Sequence, residues 1–448
     1  MGFADAYLLK AGLRKALIDP APHTDLKITV TIPVYNESGL ERCLDSLFQC
    51  SCGSSMDTSA GSVSKDNHVA GFHAEVLIMI NAPSEAPATI LEQNRATLEN
   101  MRRWIEAHPH PAIDFHVWLD HSFLMKEAGV GMARKILMDE AVRRFNILER
   151  PGGIIASMDA DAVVQPNYLE ALMQHFNPAG PVPDGCAVRF EHPLSPGYGK
   201  GSTGHSELQP DKEFSPEVYR AITQYELHLR YYLQSVRFTG YPYAYHTVGS
   251  AFAVRADIYC KEGGMNRRKG GEDFYFIQKV AQRGHFSQCN STCVVPSPRP
   301  SDRVPFGTGP VVSKLMKGEE LLKTYNTQPF VMLKRLFEGI IRTGKPDENP
   351  PEPLRSFLEE QQFDVALEEI RSNSASPAAF RKRFWRWFSM FRILKFIHFA
   401  RERGYPDIPV GDAASEWLRM IDPENRGIPA VGLDLKKLLL IYRMLDMR

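Results

Sequence analysis

The chain has 448 residues and carries 53 Lys and Arg against 53 Asp and Glu, so its formal net charge at pH 7 is zero. This balance gives no field that would collect nucleic acid, and the length suffices for one large or two ordinary domains. The N-terminus lacks a basic start followed by an apolar core, and no apolar run is long enough to span a bilayer. Together with the odd number of seven cysteines, these features predict a cytoplasmic protein with free thiols and no nucleic-acid partner.

Strands and helices alternate over the first two thirds of the chain. Short β-branched and apolar runs predict strands at 27–34, 75–80, 115–119, 153–158 and 248–254. Helical spacing of apolar residues predicts helices at 39–49, 88–107, 132–145, 215–235 and 272–283. Such alternation is typical of an α/β fold with a doubly wound, mostly parallel sheet.

The remaining stretches suggest how the domains are arranged. We expect residues 1–26 to form an N-terminal helical arm and residues 27–310 to form the catalytic domain. Within that domain, the Ser- and Gly-rich stretch 51–71 predicts a mobile insertion, and the Gly-, Pro- and Ser-rich stretch 177–215 predicts a long loop over the site. Residues 311–448 have helical spacing with a Pro-rich break, which predicts a helical C-terminal domain.

The most informative motif is a pair of carboxylates after an apolar strand. Asp159 and Asp161 follow Gly153–Ser157 directly, at the end of a strand where ligands of open α/β sheets bind. Their side chains point to the same side if the strand geometry continues, so a cation is needed to neutralise their repulsion. Hard oxygen ligands suit Mg²⁺ or Mn²⁺, which keep positions open for phosphates. An isolated Asp-x-Asp is common in loops, but the preceding strand favours a metal–diphosphate site.

A second polar segment ends the first strand. Pro33 stops the ladder of hydrogen bonds, and Tyr35, Asn36 and Glu37 then offer a stacking face and hydrogen-bonding groups for a base or a ribose. Taken alone, the segment is more typical of a strand end followed by a helix N-cap. Its interpretation as a nucleotide site therefore depends on the rest of the chain.

Glu272 and Asp273 begin a predicted helix after the glycines at 270 and 271. Acidic residues are favourable at a helix N-terminus, so the pair is explained by helix capping alone. The functional interpretation is a general base at the rim of a pocket, because glycines let the backbone approach a ligand closely.

Two other groups suit the binding of phosphate. Gly249 and Ser250 lie at the start of a predicted strand, and Arg299 and Arg303 lie in a loop bounded by Pro and Gly. Paired arginines are able to clamp a phosphate or a carboxylate through two hydrogen bonds each. Without its context, however, the arginine segment is simply a stiff loop.

In combination these motifs resemble those of the family 2 inverting glycosyltransferases with the GT-A fold. The matching order is Pro-Val-Tyr-Asn-Glu after the first strand, Asp-Ala-Asp after the fourth, then Gly-Gly and Gly-Glu-Asp before a later helix. The segment Gly129–Arg134 is also similar to the family's Gly-rich start of the helix before the Asp-x-Asp strand. The resemblance covers roughly residues 27–310.

The resemblance implies a function and a role for each matching position. The chain would transfer a hexose from a nucleotide-diphosphate sugar to an acceptor hydroxyl of unknown type, with inversion and with Mn²⁺ or Mg²⁺. Asp159 would contact ribose or metal, Asp161 would be the principal metal ligand, and Asp273 would be the catalytic base assisted by Glu272. The nucleotide-sugar pocket would be lined by Pro33, Tyr35, Asn36, Glu37, Asn81, Arg134, Asp159 and Ala160. Phosphate or acceptor would be bound by Gly249, Ser250, Arg299 and Arg303.

The sequence departs from the family's pattern at two positions. Asn81 stands where the family usually has an Asp that reads the base, which leaves the base open. A His that often supplies a third metal ligand is missing after Cys293, and His246 and His285 are the substitutes to consider. The two arginines of the downstream loop are closer to enzymes that make glycosylated glycerate-type compounds, such as glucosyl- and mannosyl-glycerate synthases, which implies an anionic acceptor or donor.

The stretch 380–403 interleaves aromatic residues with Arg and Lys. One interpretation is a basic amphipathic helix that makes peripheral contact with a membrane. The aromatic residues occupy too much of the helix circumference for a clean membrane face, so we favour a helix packed within the protein with its charges in solvent.

Two other functions remain open. A sugar-1-phosphate nucleotidyltransferase also uses a doubly wound sheet and metal-binding carboxylates, but it usually has a Gly-rich, basic loop where this chain has Tyr35-Asn36-Glu37-Ser38. A catalytically silent carbohydrate-binding protein would not need both Asp161 and Asp273.

Overall fold

The computed structural model describes residues 2–12, 15–53, 71–196, 214–301, 307–317, 321–346, 349–421 and 434–447. These residues form two compact units. We call the first the sheet unit (Met1–Glu213, Thr247–Ser297 and Arg303–Phe306) and the second the helical unit (Phe214–His246, Pro298–Asp302 and Gly307–Arg448). Apart from residues 51–53 and 71, the predicted insertion at 51–71 lies outside the described residues.

The strands of the sheet unit are, in chain order, β1 (Leu26–Val34), β2 (His73–Pro83), β3 (Ile113–Phe123), β4 (Ile154–Ser157), β5 (Val163–Val164), β6 (Gly185–Phe190), β7 (Phe252–Arg255) and β8 (Phe286–Val295). They form one eight-stranded sheet among the described residues, in the order β3-β2-β1-β4-β7-β6-β8-β5. Four neighbouring pairs are parallel, whereas β7 is antiparallel to β4 and β6, and β5 is antiparallel to β8. The α/β class with a mostly parallel sheet is therefore confirmed.

The helices are divided between the two units. In the sheet unit they are α1 (Asp5–Ala11), α2 (Glu41–Phe48), α3 (Ala88–Ala107), α4 (Val130–Ile147), α5 (Tyr168–His175), α7 (Ala256–Lys261) and α8 (Glu272–Ala281). In the helical unit they are α6 (Pro216–Phe238), α9 (Thr308–Met316), α10 (Gln328–Thr343), α11 (Leu354–Glu360), α12 (Phe363–Ser372), α13 (Pro377–Trp387), α14 (Met390–Arg401), α15 (Val410–Ile421) and α16 (Leu435–Asp446). The short strands β9 (Lys323–Thr324) and β10 (Ile408–Pro409) pair there.

The sequence-based elements differ from this arrangement in several places, and β5, β8, α5 and α7 were not predicted at all. The prediction of a loop throughout 177–215 was wrong, because β6 lies inside it as the short apolar run Cys186–Val188 between Gly- and Pro-rich flanks. In the N-terminal arm, the helix is confined to α1. Finally, α6 belongs to the helical unit although it precedes residue 310, because its buried face packs with α15 and α16.

The aromatic residues of 380–403 are mostly buried within the helical unit. Phe384, Trp385, Phe388 and Phe396 are nearly inaccessible, and the ring of Phe337 on α10 contacts those of Phe384, Trp385 and Phe388. The cations of α13 lie on the outside of that helix. Among the described helices, none combines the length and apolarity needed to cross a membrane.

Candidate active site

Three strands bring the predicted polar segments to one edge of the sheet. Thr31 of β1 pairs with Ser157 of β4, and Ser157 pairs with Phe252 of β7, which runs in the opposite direction. The residues after β1, the residues after β4 and the residues before β7 therefore meet at the carboxyl edge. The Ser157 hydroxyl donates to the carbonyl oxygen of Gly249 over 2.8 Å, which joins two of these segments directly.

Arg134, in the first turns of α4, lies at the centre of the polar groups at this edge. Its guanidinium donates one hydrogen bond to the carboxylate of Asp159 and another to that of Glu272. The side chains of Arg134 and Glu272 are only 4% and 3% exposed, whereas that of Asp159 is 41% exposed. One buried cation thus connects the carboxylate after β4 to the carboxylate at the start of α8.

Gly249 leaves the space that this guanidinium occupies. A Cβ atom at position 249 would lie 2.6–2.8 Å from three atoms of the Arg134 guanidinium, well inside normal contact distance. The residue was predicted to allow close approach to a ligand, and what approaches it in the structure is Arg134. Any larger residue at position 249 would collide with the Arg134 guanidinium, which explains why glycine is needed there.

Asp273 is the one carboxyl group here whose pKa is moved close to neutrality. Burial and the negative charge of Glu272 raise the pKa of Asp273 to about 7, against the opposing effect of Arg134. The Asp273 carboxylate accepts a hydrogen bond from the backbone N–H of Phe274 over 2.7 Å. Because a general base works best when its pKa lies near the operating pH, Asp273 is chemically suited to accept a proton from a hydroxyl group.

The negative potential of Asp159 and Asp161 reaches the neighbouring helix α2. Burial raises the pKa of the Cys43 thiol, and the charges of Asp161 and Asp159 raise it further. Cys43 also donates to the carbonyl oxygen of Asp159. The half-buried carboxylates of Asp161 and Asp159 are hard oxygen donors, so this pair suits Mg²⁺ or Mn²⁺, with Asp159 shared with Arg134.

The segment after β1 is held by asparagines. Asn36 adopts a left-handed backbone conformation with φ of 50°, and its N–H donates to Asn94 Oδ1 over 3.0 Å. The side-chain amide of Asn81 donates to the carbonyl oxygen of Val34 over 2.9 Å, and that of Asn94 donates to Asn81 O over 3.2 Å. Asn81, predicted to line the nucleotide-sugar pocket, thus fixes the end of β1. Asn94, inside α3, was missed, because an Asn within a helix carries no signal of this kind.

Glu37 is turned into the protein. It is 2% exposed, its carboxylate accepts from the N–H of Gly39 over 3.1 Å, and its carbonyl oxygen accepts from the hydroxyl of Thr97 over 2.7 Å. Tyr35 and Pro33 are half-buried beside it. These contacts match the strand-end interpretation of the segment and leave its nucleotide-binding role a prediction.

Ala160 and Ser250 are both buried at the same edge. Of the two predicted arginines, Arg299 belongs to the helical unit and Arg303 lies outside the described residues.

Two histidines were considered as a third metal ligand. His246 belongs to the helical unit, where Nε2 lies 2.8 Å from the carboxylate of Asp446. His285 is exposed and precedes β8, whose first residue pairs with the first residue of β6. Since β8 runs parallel to β4, His285 lies at the amino edge of the sheet, opposite the two carboxylates. Within the sheet unit, His285 therefore does not lie with Asp159 and Asp161.

A second group of metal-ligand types occurs in the described residues, at Glu75, Asp114 and His116 on β2 and β3. Glu75 is bound by the guanidinium of Arg144 through two bonds of 2.5 and 2.6 Å, and Asp114 is 2.8 Å from the ring of His73. Because both carboxylates already have cationic or hydrogen-bonding partners, this group stabilises the sheet edge.

No family model and no curated protein matches the chain. Among solved structures it is similar to S. aureus TarS 1-349 in complex with UDP-GlcNAc, at 14% identity over 94% of this chain and 88% of that chain, with a TM-score of 0.34. It is also similar to the mannosyltransferase PcManGT from Pyrobaculum calidifontis in complex with GDP-Man and Mn²⁺, at 16% identity over 99% and 95% of the two chains, with a TM-score of 0.34. Likenesses of this size do not decide an activity, which has to be argued from the residues of the site.

Proposed function

We propose that the protein is a metal-dependent, inverting glycosyltransferase that moves a hexose from a nucleotide-diphosphate sugar to an acceptor hydroxyl. The observation that carries the proposal is the double pairing of Arg134 with Asp159 and Glu272. This pairing joins Asp159, a carboxylate of the kind that binds metal ions, to Glu272, the residue next to the candidate base Asp273. A site of this kind has the two functions that sugar transfer needs, charge stabilisation on the donor side and proton removal on the acceptor side.

On the donor side, the departing diphosphate develops negative charge. The oxygen donors of Asp161 and Asp159 would hold Mn²⁺ or Mg²⁺, which when bound stabilises charge on phosphate oxygens. Arg134 keeps the carboxylate of Asp159 fixed, so that only part of the pair's negative charge remains to be neutralised. The segment after β1, ordered by Asn36 and Asn94, would line the nucleotide.

On the acceptor side, Asp273 would take the proton of the acceptor hydroxyl. As that proton leaves, the hydroxyl oxygen bonds to the anomeric carbon, and the bond from this carbon to the diphosphate oxygen breaks with its electron pair going to the diphosphate. Attack from the face opposite the leaving group inverts the anomeric centre without a covalent sugar–enzyme species, as in inverting glycosidases. Glu272 would assist by keeping the pKa of Asp273 high.

The direct test is to incubate the protein with nucleotide sugars and Mn²⁺ and to measure the release of free nucleoside diphosphate. UDP-GlcNAc and GDP-mannose, the donors bound to the two similar structures, come first. We expect slow hydrolysis of one donor that stops when the metal is chelated. Consumption of pyrophosphate and nucleotide sugar to give nucleoside triphosphate would instead identify a nucleotidyltransferase, and binding without any release would identify a silent carbohydrate-binding protein.

The metal assignment has its own variant. Asp161→Ala should abolish the Mn²⁺-dependent part of donor binding in calorimetry, while Glu99→Ala, an exposed carboxylate on α3, should leave it intact. Equal metal dependence in both variants would remove Asp161 from the site.

We also propose a cytoplasmic setting, with peripheral contact to anionic membranes as the alternative to a helix that only packs within the protein. The free cysteines, most of them buried, support the setting. Since the aromatic rings of α13 are buried, the contact would be made by exposed Arg381, Lys382, Arg383 and Arg386. Flotation with liposomes that contain anionic lipid tests it, and equal recovery of the protein with neutral liposomes would count against it.

A further inference from the structure

A cationic segment leads into the helix that carries Asp273. Arg267, Arg268 and Lys269 are consecutive and all three are exposed. The side-chain amide of Asn266 donates to the backbone carbonyl of Glu272 over 2.8 Å, which folds the segment back onto the first turn of α8. The cationic segment is therefore tied to the first turn of α8, the turn that carries Asp273.

Contacts on two sides fix the position of this segment. On the side of α8, the Arg268 guanidinium carbon lies 4.1 Å from the centre of the Tyr275 ring, a distance typical of cation–π stacking. On the side of α4, a Cβ atom at Gly131 would lie 2.2 Å from the carbonyl oxygen of Arg268, so the glycine is required by the approach of the segment. The Lys269 ammonium donates to the carbonyl oxygen of Met125 over 2.9 Å. The segment is thus packed in place.

Nearby carboxylates do not account for the charge of these arginines. Glu272, the buried carboxylate at the start of α8, is paired with Arg134. In the described ranges of the chain, no carboxylate lies within ion-pair distance of Arg267 or Arg268. Stacking on Tyr275 leaves the N–H edges of the Arg268 guanidinium available, because a guanidinium stacks with its face and donates hydrogen bonds in its plane.

We infer that the acceptor of the proposed reaction carries an anionic group, a phosphate or a carboxylate, which Arg267 and Arg268 bind while its hydroxyl is presented to Asp273. The inference rests on the proposed function, because Asp273 defines the acceptor side. Planar guanidinium groups match the two oxygens of a phosphate or a carboxylate, and charge-assisted hydrogen bonds of this kind orient as well as attract. The alternative source of the same anion is the diphosphate of the donor.

The test measures binding and therefore needs no turnover. Glycerol 3-phosphate, glycerate and uncharged glycerol are titrated by calorimetry against the full chain, the double variant R267A/R268A and the control R102A/R103A, which removes two exposed arginines of α3. We expect the wild-type protein and the control to bind an anionic probe at least about tenfold more tightly than glycerol, and the double variant to lose that preference. Affinity for the donor with Mn²⁺, measured in the same way, should stay within about twofold in all three proteins.

Two results would overturn the inference. One is equal, or absent, binding of the charged and uncharged probes by the wild-type protein. The other is a double variant that keeps anion binding but loses affinity for the donor, which would assign the arginines to the donor diphosphate. Failure of the proposed function is a separate result. It would be seen as no release of nucleoside diphosphate from any donor, independently of how tightly the three probes bind.

Discussion

Each unit of the protein buries arginines among carboxylates, but the two clusters differ in how their charges balance. In the helical unit, Glu226 accepts two hydrogen bonds from Arg443 over 2.7 and 2.8 Å and one from Arg230 over 2.8 Å. Asp446 is bound by Arg230 and by His246. Burial raises the pKa of Asp446, but His246 and Arg230 lower it to about 2, so this carboxylate is stable as an anion.

In the sheet unit the balance is unequal. Arg134 is the cation in contact with Asp159 and Glu272, and the charge of Asp273 also acts on it. Three carboxylates therefore act on one guanidinium, and burial together with the charge of Glu272 raises the pKa of Asp273 to about 7. Asp159 is also partly open to solvent, whereas both carboxylates of the other cluster are buried.

The difference separates a structural cluster from a functional one. Where each carboxylate has its cation, the network only holds helices together. Where negative charge is in excess and accessible, the site invites a cation or a proton, which are the two species that glycosyl transfer has to handle. Four substitutions test this contrast.

Asp273→Asn should have the largest effect, because it removes the group that accepts the proton. We expect transfer to fall by about 10²- to 10⁴-fold, the range typical of a lost general base. Donor binding, measured by calorimetry with Mn²⁺, should change little, since Asp273 is assigned to the acceptor side. Turnover close to that of the wild-type protein would show that Asp273 is not the base.

Glu226→Gln should affect stability and leave the chemistry alone. It leaves Arg443 facing a neutral partner, while Arg230 keeps Asp446, and breaking a buried ion pair typically costs about 3 kcal/mol or more. The expected result is a lower urea midpoint with an unchanged pH profile of nucleoside-diphosphate release. Glu217→Gln, which changes an exposed carboxylate on the same helix, is the control and should leave the midpoint in place.

Glu272→Gln should shift the pH dependence in a defined direction. The charge of Glu272 raises the pKa of Asp273, so its removal lowers that pKa and also leaves Arg134 freer to act on Asp273. A base has to be deprotonated to work, and the rate is therefore lost below its pKa. The acidic limb of kcat/KM, expected near pH 7 in the wild-type protein, should move to lower pH. A limb that stays or rises would contradict the coupling.

The sequence predicted the parts of the fold that have strong local patterns. The β-branched run of β1 and the helical spacing of α3 were located within a few residues. β6 was missed because it is a six-residue strand within a stretch rich in Gly and Pro. The apolar run of this segment is too short to predict a strand against the many Gly and Pro residues around it.

The candidate site was predictable where its residues are local and not where they meet across the chain. Asp159 and Asp161 follow a visible strand, so their position at a sheet edge could be inferred. Arg134 was suggested only by resemblance, and its pairing with Glu272 joins residues 138 positions apart. Arg267 and Arg268 were passed over, because exposed arginines are ordinary until their neighbours in space are known.

Gly249→Ala should have the smallest effect. It tests the network of Arg134 by moving the guanidinium instead of removing a charge. The new Cβ would lie within 2.8 Å of the Arg134 guanidinium, which has to move, and overpacking of this kind costs about 1 kcal/mol of stability. In the wild-type protein the charge of Arg134 lowers the pKa of Asp273. Once the guanidinium is displaced from Glu272, this lowering becomes weaker and the pKa of Asp273 rises. The acidic limb should therefore move to higher pH, opposite to Glu272→Gln. Gly152→Ala is the matched control, because no atom lies within 4 Å of its Cβ position. Equal behaviour of the two alanine variants would mean that the position of Arg134 does not control the base.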